Sequence, residues 1–178
     1  IYIGDKQKNV LIYLRIIVEA GARVTIIESI QDIEYCGMIL DVIVGEGAYV
    51  KYIIDQRVDD KSFLIHARTA FVGKNAIYRW IDIELGSAIS KQTIVTELVD
   101  EGARAETYGL FFGIDNQLID LKTTILHNAS HTTSDMHVKG VLSGHAKGIY
   151  YGLIRIPHGS YTCDGKQREE TLLLSKDS

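Results

Sequence analysis

Three histidines fall within eleven residues of this chain, in the stretch His127-Asn128-Ala129-Ser130-His131-Thr132-Thr133-Ser134-Asp135-Met136-His137. Neutral imidazole is the commonest metal ligand, and the spacing of His127 and His131 puts both rings on one face of a helix or of a continuous strand. These two residues are the candidate metal ligands. A competing reading starts from the residues before them. Ile119, Leu121, Thr123 and Ile125 alternate on one apolar face, and His127 continues it. A histidine buried on such a face ordinarily satisfies its ring nitrogens by hydrogen bonds, so a structural role is expected for His127. Solvated or capping roles are expected for His131 and His137.

Other chemistry has less support. Cys163 sits in Tyr161-Thr162-Cys163-Asp164-Gly165, where the neighbouring carboxylate disfavours a thiolate and no base is fixed nearby in sequence. Cys36, between Tyr35 and Gly37-Met38-Ile39, reads as an inert buried thiol. With two cysteines and no C-x-x-C spacing, neither a disulfide scaffold nor a zinc ribbon is available. The G-x-S-x-G, phosphate-loop and H-E-x-x-H signatures are absent. Glu169 and Glu170 point to opposite faces of a strand and suit a solvated edge better than an acid-base pair. No catalytic residue is assigned, and the chain is expected not to be an enzyme.

The elements that must position these residues are strands. Of 178 residues, 25 are Ile, 12 Val and 11 Thr, with 10 Tyr beside them, a composition that favours pleated, half-buried surfaces. Period-two alternation recurs along the chain. Ala22, Val24 and Ile26 share a face; Ala48, Val50, Tyr52 and Ile54 share another. Ile81, Ile83 and Leu85 alternate with Asp82 and Glu84, with the charges expected outward. Ile94, Thr96 and Leu98 alternate with Val95, Glu97 and Val99. Ala103, Ala105, Thr107 and Gly109 form a small-residue face suited to a narrow interior. No helix of ten residues is predicted.

Gly-small steps introduce these strands at Gly21-Ala22, Gly47-Ala48, Gly86-Ser87-Ala88, Gly102-Ala103, Gly144-His145-Ala146 and Gly159-Ser160. A loose repeat that starts a strand each time is the mark of stacked rungs, since one rung cannot bury its inner face alone. At about 20 to 25 residues per rung, roughly seven or eight rungs are expected. The alternative is an antiparallel β-sandwich, but only Asp164-Gly165 offers a two-residue hairpin turn. The expected fold class is all-β, a parallel β-solenoid forming one domain over residues 1–178.

The formal charge of −4, without a lysine-arginine tract, argues against nucleic acid as a partner. No apolar run reaches the roughly 18 residues of a membrane span, so no membrane partner and a cytoplasmic location are expected. The chain begins without methionine and is expected to be a fragment of a longer one lacking N- and C-terminal segments.

The C-terminal half carries a resemblance. Gly102-Ala103-Arg104-Ala105-Glu106-Thr107-Tyr108-Gly109-Leu110, Gln117-Leu118-Ile119-Asp120, the stretch from His127 to Ser134, Lys139-Gly140-Val141-Leu142, Ala146-Lys147-Gly148-Ile149-Tyr150-Tyr151-Gly152 and Gln167-Arg168-Glu169-Glu170-Thr171-Leu172-Leu173-Leu174-Ser175 resemble, in order and spacing, the core of the SufB/SufD family. Weaker matches at Gly21-Ala22 with Glu28, Gly47-Ala48 and Ile83-Glu84-Leu85-Gly86 extend it over nearly the whole chain.

The resemblance implies a right-handed parallel β-helix and a non-enzymatic scaffold subunit of the SUF machinery for iron-sulfur cluster assembly. It implies a SufC-like ABC ATPase and a SufB-like or self subunit as partners. The ending looks more like SufD, because SufB-type members tend to carry Cys-Asp-Ser where Glu169-Glu170-Thr171 stands. The family often has proline where this chain has Ser130. Its cluster-associated and ATPase-docking segments lie beyond Ser178, so no cofactor is expected on this fragment and the cluster is expected in the assembled complex. A structural or surface-binding solenoid unrelated to iron-sulfur chemistry is the rival reading. A polysaccharide enzyme would need a groove of carboxylates along one face, which the pattern does not supply.

Overall fold

The computed structural model describes residues 1–4 and 9–175. Among them are thirteen strands and no helix: β1 (Tyr2–Ile3), β2 (Asn9–Val18), β3 (Arg23–Gln31), β4 (Tyr35–Val44), β5 (Tyr49–Arg57), β6 (Phe63–Val72), β7 (Ile77–Leu85), β8 (Ile89–Leu98), β9 (Arg104–Gly113), β10 (Leu118–His127), β11 (Thr133–Leu142), β12 (Lys147–Arg155) and β13 (Asp164–Leu173). Odd-numbered strands form one seven-stranded sheet and even-numbered strands a six-stranded sheet, each in sequence order. Every pairing is parallel. The sandwich alternative is thereby excluded, and the chain is a β-solenoid of about six turns.

Each turn contributes one strand to each sheet, which makes it longer than the sequence repeat suggests. Arg23 on β3 pairs with Tyr49 on β5, and Thr133 on β11 pairs with Asp164 on β13, so one full turn separates each residue from its partner. The expected seven or eight rungs are corrected accordingly to fewer, longer turns. The repeat misleads because its Gly-small steps mark two different corners. Gly21, Gly47 and Gly102 turn the chain from an even to the next odd strand, whereas Gly86 and Gly144 turn it from an odd to the next even strand. Taken as one series, the two kinds give a false period.

At the even-to-odd corners the equivalent residue of each turn takes the left-handed conformation, Gly21, Gly47, Asn75, Gly102, His131 and Thr162, with φ between 54° and 73°, and the β12–β13 corner adds Gly159 at 98°. Glycine suits that geometry because it has no Cβ to clash. The corners are joined by backbone bonds along the stack, such as Gly21 N–H to Glu46 O at 2.8 Å, Gly47 N–H to Lys74 O at 2.8 Å and His131 N–H to Tyr161 O at 2.9 Å.

Alternation sends every second residue inward between the two sheets. Val50, Tyr52 and Ile54 on β5, and Ala105 and Thr107 on β9, are buried as their patterns predict. Large and small side chains interlock along the axis. A Cβ at Gly140 would run into the Phe111 ring, so that glycine is the hollow that admits the aromatic side chain. Strand β7 reverses its expected facing. Asp82 and Glu84 point inward and are buried, while Ile81, Ile83 and Leu85 face outward half-covered. Tyr78 and Trp80 precede them on the inner face, and in β-structure this residue parity, not local hydrophobicity, decides which side chains go in.

Candidate functional site

The histidine motif forms the corner between β10 and β11. His127 is the last residue of β10 and is fully buried. Its Nδ1 lies 2.7 Å from Thr132 Oγ1 and its Nε2 lies 2.8 Å from Ser134 Oγ. Thr132 donates its hydroxyl proton to Ala129 O at 3.0 Å, which assigns the Nδ1 proton to His127 and leaves Nε2 to accept from Ser134. Burial pulls His127 below the ordinary imidazole range, opposed by the Asp164 carboxylate. The ring is therefore a neutral strut with both nitrogens occupied.

His131 is placed differently. It is exposed at the left-handed corner position that Gly21, Gly47 and Gly102 fill in other turns. The structure does not bring the His127 and His131 rings together on one face, because the chain turns the corner between them. Cys163 takes the corner position after Thr162 in the next turn, half-buried, with Sγ 3.3 Å from Thr132 Oγ1. Ser130, where the family often has proline, accepts the Tyr161 N–H at 3.0 Å and so ties the two corners. His137 faces outward on β11 and shares Glu170 with Lys139 and Arg168. Among the described residues, no group of three or more His, Cys, Asp or Glu side chains is arranged to hold a metal ion.

The densest polar chemistry lies elsewhere, inside the second to fourth turns. Arg68 on β6 is fully buried and reaches across the interior to Glu28 on β3, Nη2 to Oε1 at 2.7 Å, with both side chains 0% exposed. Its Nη1 donates to Gln92 Oε1 at 2.6 Å, and Nη2 also donates to His66 Nδ1 at 3.1 Å. Since guanidinium only donates, His66 carries its proton on Nε2. Tyr52 donates to Glu28 Oε2 at 2.6 Å, and Gln92 Nε2 donates to Gln56 Oε1 at 3.3 Å. Burial, reinforced by the Arg68 charge, holds His66 well below its usual range. Burial also raises the Cys36 thiol to about 11, so that residue is a neutral neighbour of the network. Trp80 closes one side, its ring 5.0 Å from Tyr52 and 4.8 Å from Tyr78, with Nε1 donating to Thr96 at 3.0 Å.

This network is hidden from sequence reasoning because its members are scattered from Glu28 to Gln92 and meet only through the stacking of turns. One signal was available. Met38, His66 and Gln92 occupy a single register column, as do Leu40, Arg68 and Ile94, so inward parity alone would have placed His66 and Arg68 side by side in the core.

A sequence model of one family, described as SUF system FeS cluster assembly, SufBD core domain, matches residues 2–178. The chain belongs to the SufBD core domain family. Curated SufBD relatives agree: the chain is 26% identical over 174 residues to an iron-sulfur cluster assembly SufBD family protein of Synechocystis, covering 91% of this chain and 38% of that protein. It is 25% identical over 168 residues to a SufBD family protein of Staphylococcus epidermidis, covering 92% of this chain and 36% of that protein. A Staphylococcus aureus SufBD family protein is 26% identical over 168 residues. The chain thus spans less than two-fifths of the length of these relatives. Membership bears out the resemblance read from the sequence, and the parallel solenoid is the SufBD core of this chain. Among its described residues, no helix is long and apolar enough to cross a membrane.

Proposed function

We propose that this SufBD core is the β-helix of a SufD-like scaffold subunit in iron-sulfur cluster assembly, acting in the cytoplasm without catalysing a reaction of its own. The observation that carries this reading is the family match from residue 2 to residue 178. The lean to SufD rests on β13, where Arg168-Glu169-Glu170-Thr171 offers no thiol and Glu170 is held by His137, Lys139 and Arg168. In this reading His127 is a structural residue, and neither it nor His131 binds metal. The cluster is cargo of the assembled complex, liganded by residues outside this chain. The partners are a SufC-like ABC ATPase and a SufB-like subunit or a second copy; nucleic acid and membrane are not partners.

The test uses the full-length protein. Mixed with a SufB-like partner and a SufC-like ATPase, it should co-elute as one complex and show an iron-sulfur chromophore after anaerobic reconstitution. Residues 1–178 alone should fold without retaining that chromophore or the ATPase. Failure of the full-length protein to bind any SUF component would remove the scaffold role. A stoichiometric cluster on the isolated piece that is lost on His131→Ala or Cys163→Ser would place the ligands inside this core.

A further inference from the structure

The interior contains more negative charge than it can neutralise. Glu28, Asp82 and Glu84 are 0%, 2% and 2% exposed, and the one buried arginine or lysine among the described residues is Arg68. Arg68 is committed to Glu28 at 2.7 Å. Asp82 and Glu84 are next neighbours on the inner face of β7, so their carboxyl groups share one small volume. Ser90 donates to Glu84 Oε2 at 3.0 Å. Neither oxygen of Asp82, nor Oε1 of Glu84, finds a donor among the surrounding N–H and O–H groups. Two carboxylates left in that state would each bear the desolvation cost of a buried charge and repel one another as well.

We propose that Glu84 is protonated in the folded chain at neutral pH, with the proton on Oε1 donated to the Asp82 carboxylate. One hydrogen bond then serves Glu84 Oε1 and one of the two Asp82 oxygens, atoms that otherwise have no partner, and the proton removes one of the three buried negative charges. The surroundings favour this assignment. Burial, and then the Asp82 charge, push Glu84 well above the ordinary carboxylate range. Burial raises Asp82 to about 6, held back by Arg68. On β5, Tyr52 and Gln56 face the interior; on β9, Thr107 and Phe111 do so and bring no charge. From the opposite sheet come His66 and Arg68 on β6 and Ser90 and Gln92 on β8, and Glu28 on β3 completes the set. Arg68 is the only fixed cation facing the pair, and it lowers both groups without matching their combined charge.

The site binds a proton that the unfolded chain gives up, since a free glutamate ionises near pH 4.3. The folded state therefore holds the extra proton, and stability attributable to the pair declines as pH rises. Above the Asp82 titration at about 6 and below that of Glu84, the unfolding constant gains about tenfold per pH unit from this one proton. The proton is reachable by solvent only when neighbouring turns part.

Infrared spectroscopy tests the assignment on the unmodified protein. The folded chain at neutral pH should show one carboxylic-acid carbonyl band per molecule that disappears on unfolding at the same pH. Carbon-13 glutamate labelling should shift that band and carbon-13 aspartate labelling should leave it in place. Glu84→Gln should abolish it, together with the tenfold dependence on pH. Absence of the band, its movement with the aspartate label, or its survival in Glu84→Gln would overturn the proposal. So would its loss on stoichiometric binding of magnesium, calcium or zinc, which would make the ligand a metal cation. Should Glu84→Gln fail to fold, the labelled wild-type spectra decide the matter alone.

Discussion

Replacing Arg68 with methionine keeps much of the side-chain volume and removes the charge from the centre of the interior network. The loss is large because of what stays behind. Glu28, 0% exposed, would retain only the Tyr52 hydroxyl at 2.6 Å, and the oxygen of Gln92 would lose its 2.6 Å donor. Removing one member of a buried, hydrogen-bonded ion pair costs about 3–5 kcal/mol, most of it from the uncompensated partner. For a chain of this size that is a fall in Tm of roughly 6–20 °C. Glu28→Gln, which leaves Arg68 unpaired, belongs in the same range. The double variant Arg68→Met/Glu28→Gln contains neither orphaned charge, and Tyr52 can still donate to the amide oxygen. It should therefore be less damaged than the sum of the singles by about 2–3 kcal/mol. Urea unfolding at neutral pH, with m-values compared across the four proteins, measures this coupling. A single Arg68→Met cost below about 1 kcal/mol, or strictly additive singles, would refute the view that Arg68 and Glu28 hold one another in the core.

Ala105 is buried and Glu106 is its half-exposed neighbour, paired with Arg79 at 2.6 Å. Ala105→Glu should cost at least about 3 kcal/mol and Glu106→Ala no more than about 1 kcal/mol; equal melting shifts would contradict the assigned facing. His127→Ala leaves the Thr132 and Ser134 hydroxyls without their shared partner and should cost about 2–4 kcal/mol, while zinc or ferrous iron should leave the wild-type melting temperature unmoved. His131→Gly should raise stability by about 0.5–1 kcal/mol, because the left-handed position no longer carries a Cβ; a fall would show that the imidazole has a role beyond the turn. Hydrogen bonds from His137 and Arg168 hold the Glu170 carboxyl down at about 2, so its contribution is present above the ordinary carboxylate range near 4.3 and is lost as pH falls toward 2. Glu170→Gln should flatten the acid limb of the stability profile, and superimposable profiles would refute that linkage.

The architecture was legible through alternation. Strands such as β5 and β9 could be read because their inner residues are apolar or small and their outer residues polar, so hydrophobicity and parity agree. On β7 the two signals conflict. Isoleucine at 81 and 83 looks like a core and Asp82 with Glu84 looks like a surface, yet the parity set by Tyr78 and Trp80 wins, because a strand cannot turn one pair of side chains without turning all of them. The interior acids Asp82 and Glu84 were illegible for that reason. The candidate His127–His131 metal pair depended on a continuous strand or helix, and the left-handed corner at His131 breaks that continuity. Turn length was misjudged because glycine marks some corners of both kinds, and nothing in a Gly-Ala or Gly-Ser step distinguishes them.

The regular pairing of each strand with the strand two places on has a kinetic meaning. Arg23 meets Tyr49 near one end of the stack and Thr133 meets Asp164 near the other, each across a single turn, so the loop that must close to add a turn is nearly constant along the chain. Closure entropy grows only with the logarithm of loop length, and these loops differ by well under about 0.6 kcal/mol. No turn is favoured as a starting point by topology. Folding then begins where side chains give the earliest return, and growth proceeds outward one turn at a time, as in a one-dimensional chain of coupled units. The Glu28–Arg68–Gln92 bridge, which joins the second, third and fourth turns in a single contact set, is the place where adding a neighbour is rewarded twice. Order should spread from it toward β13, with the last turn both the last to form and the first to open.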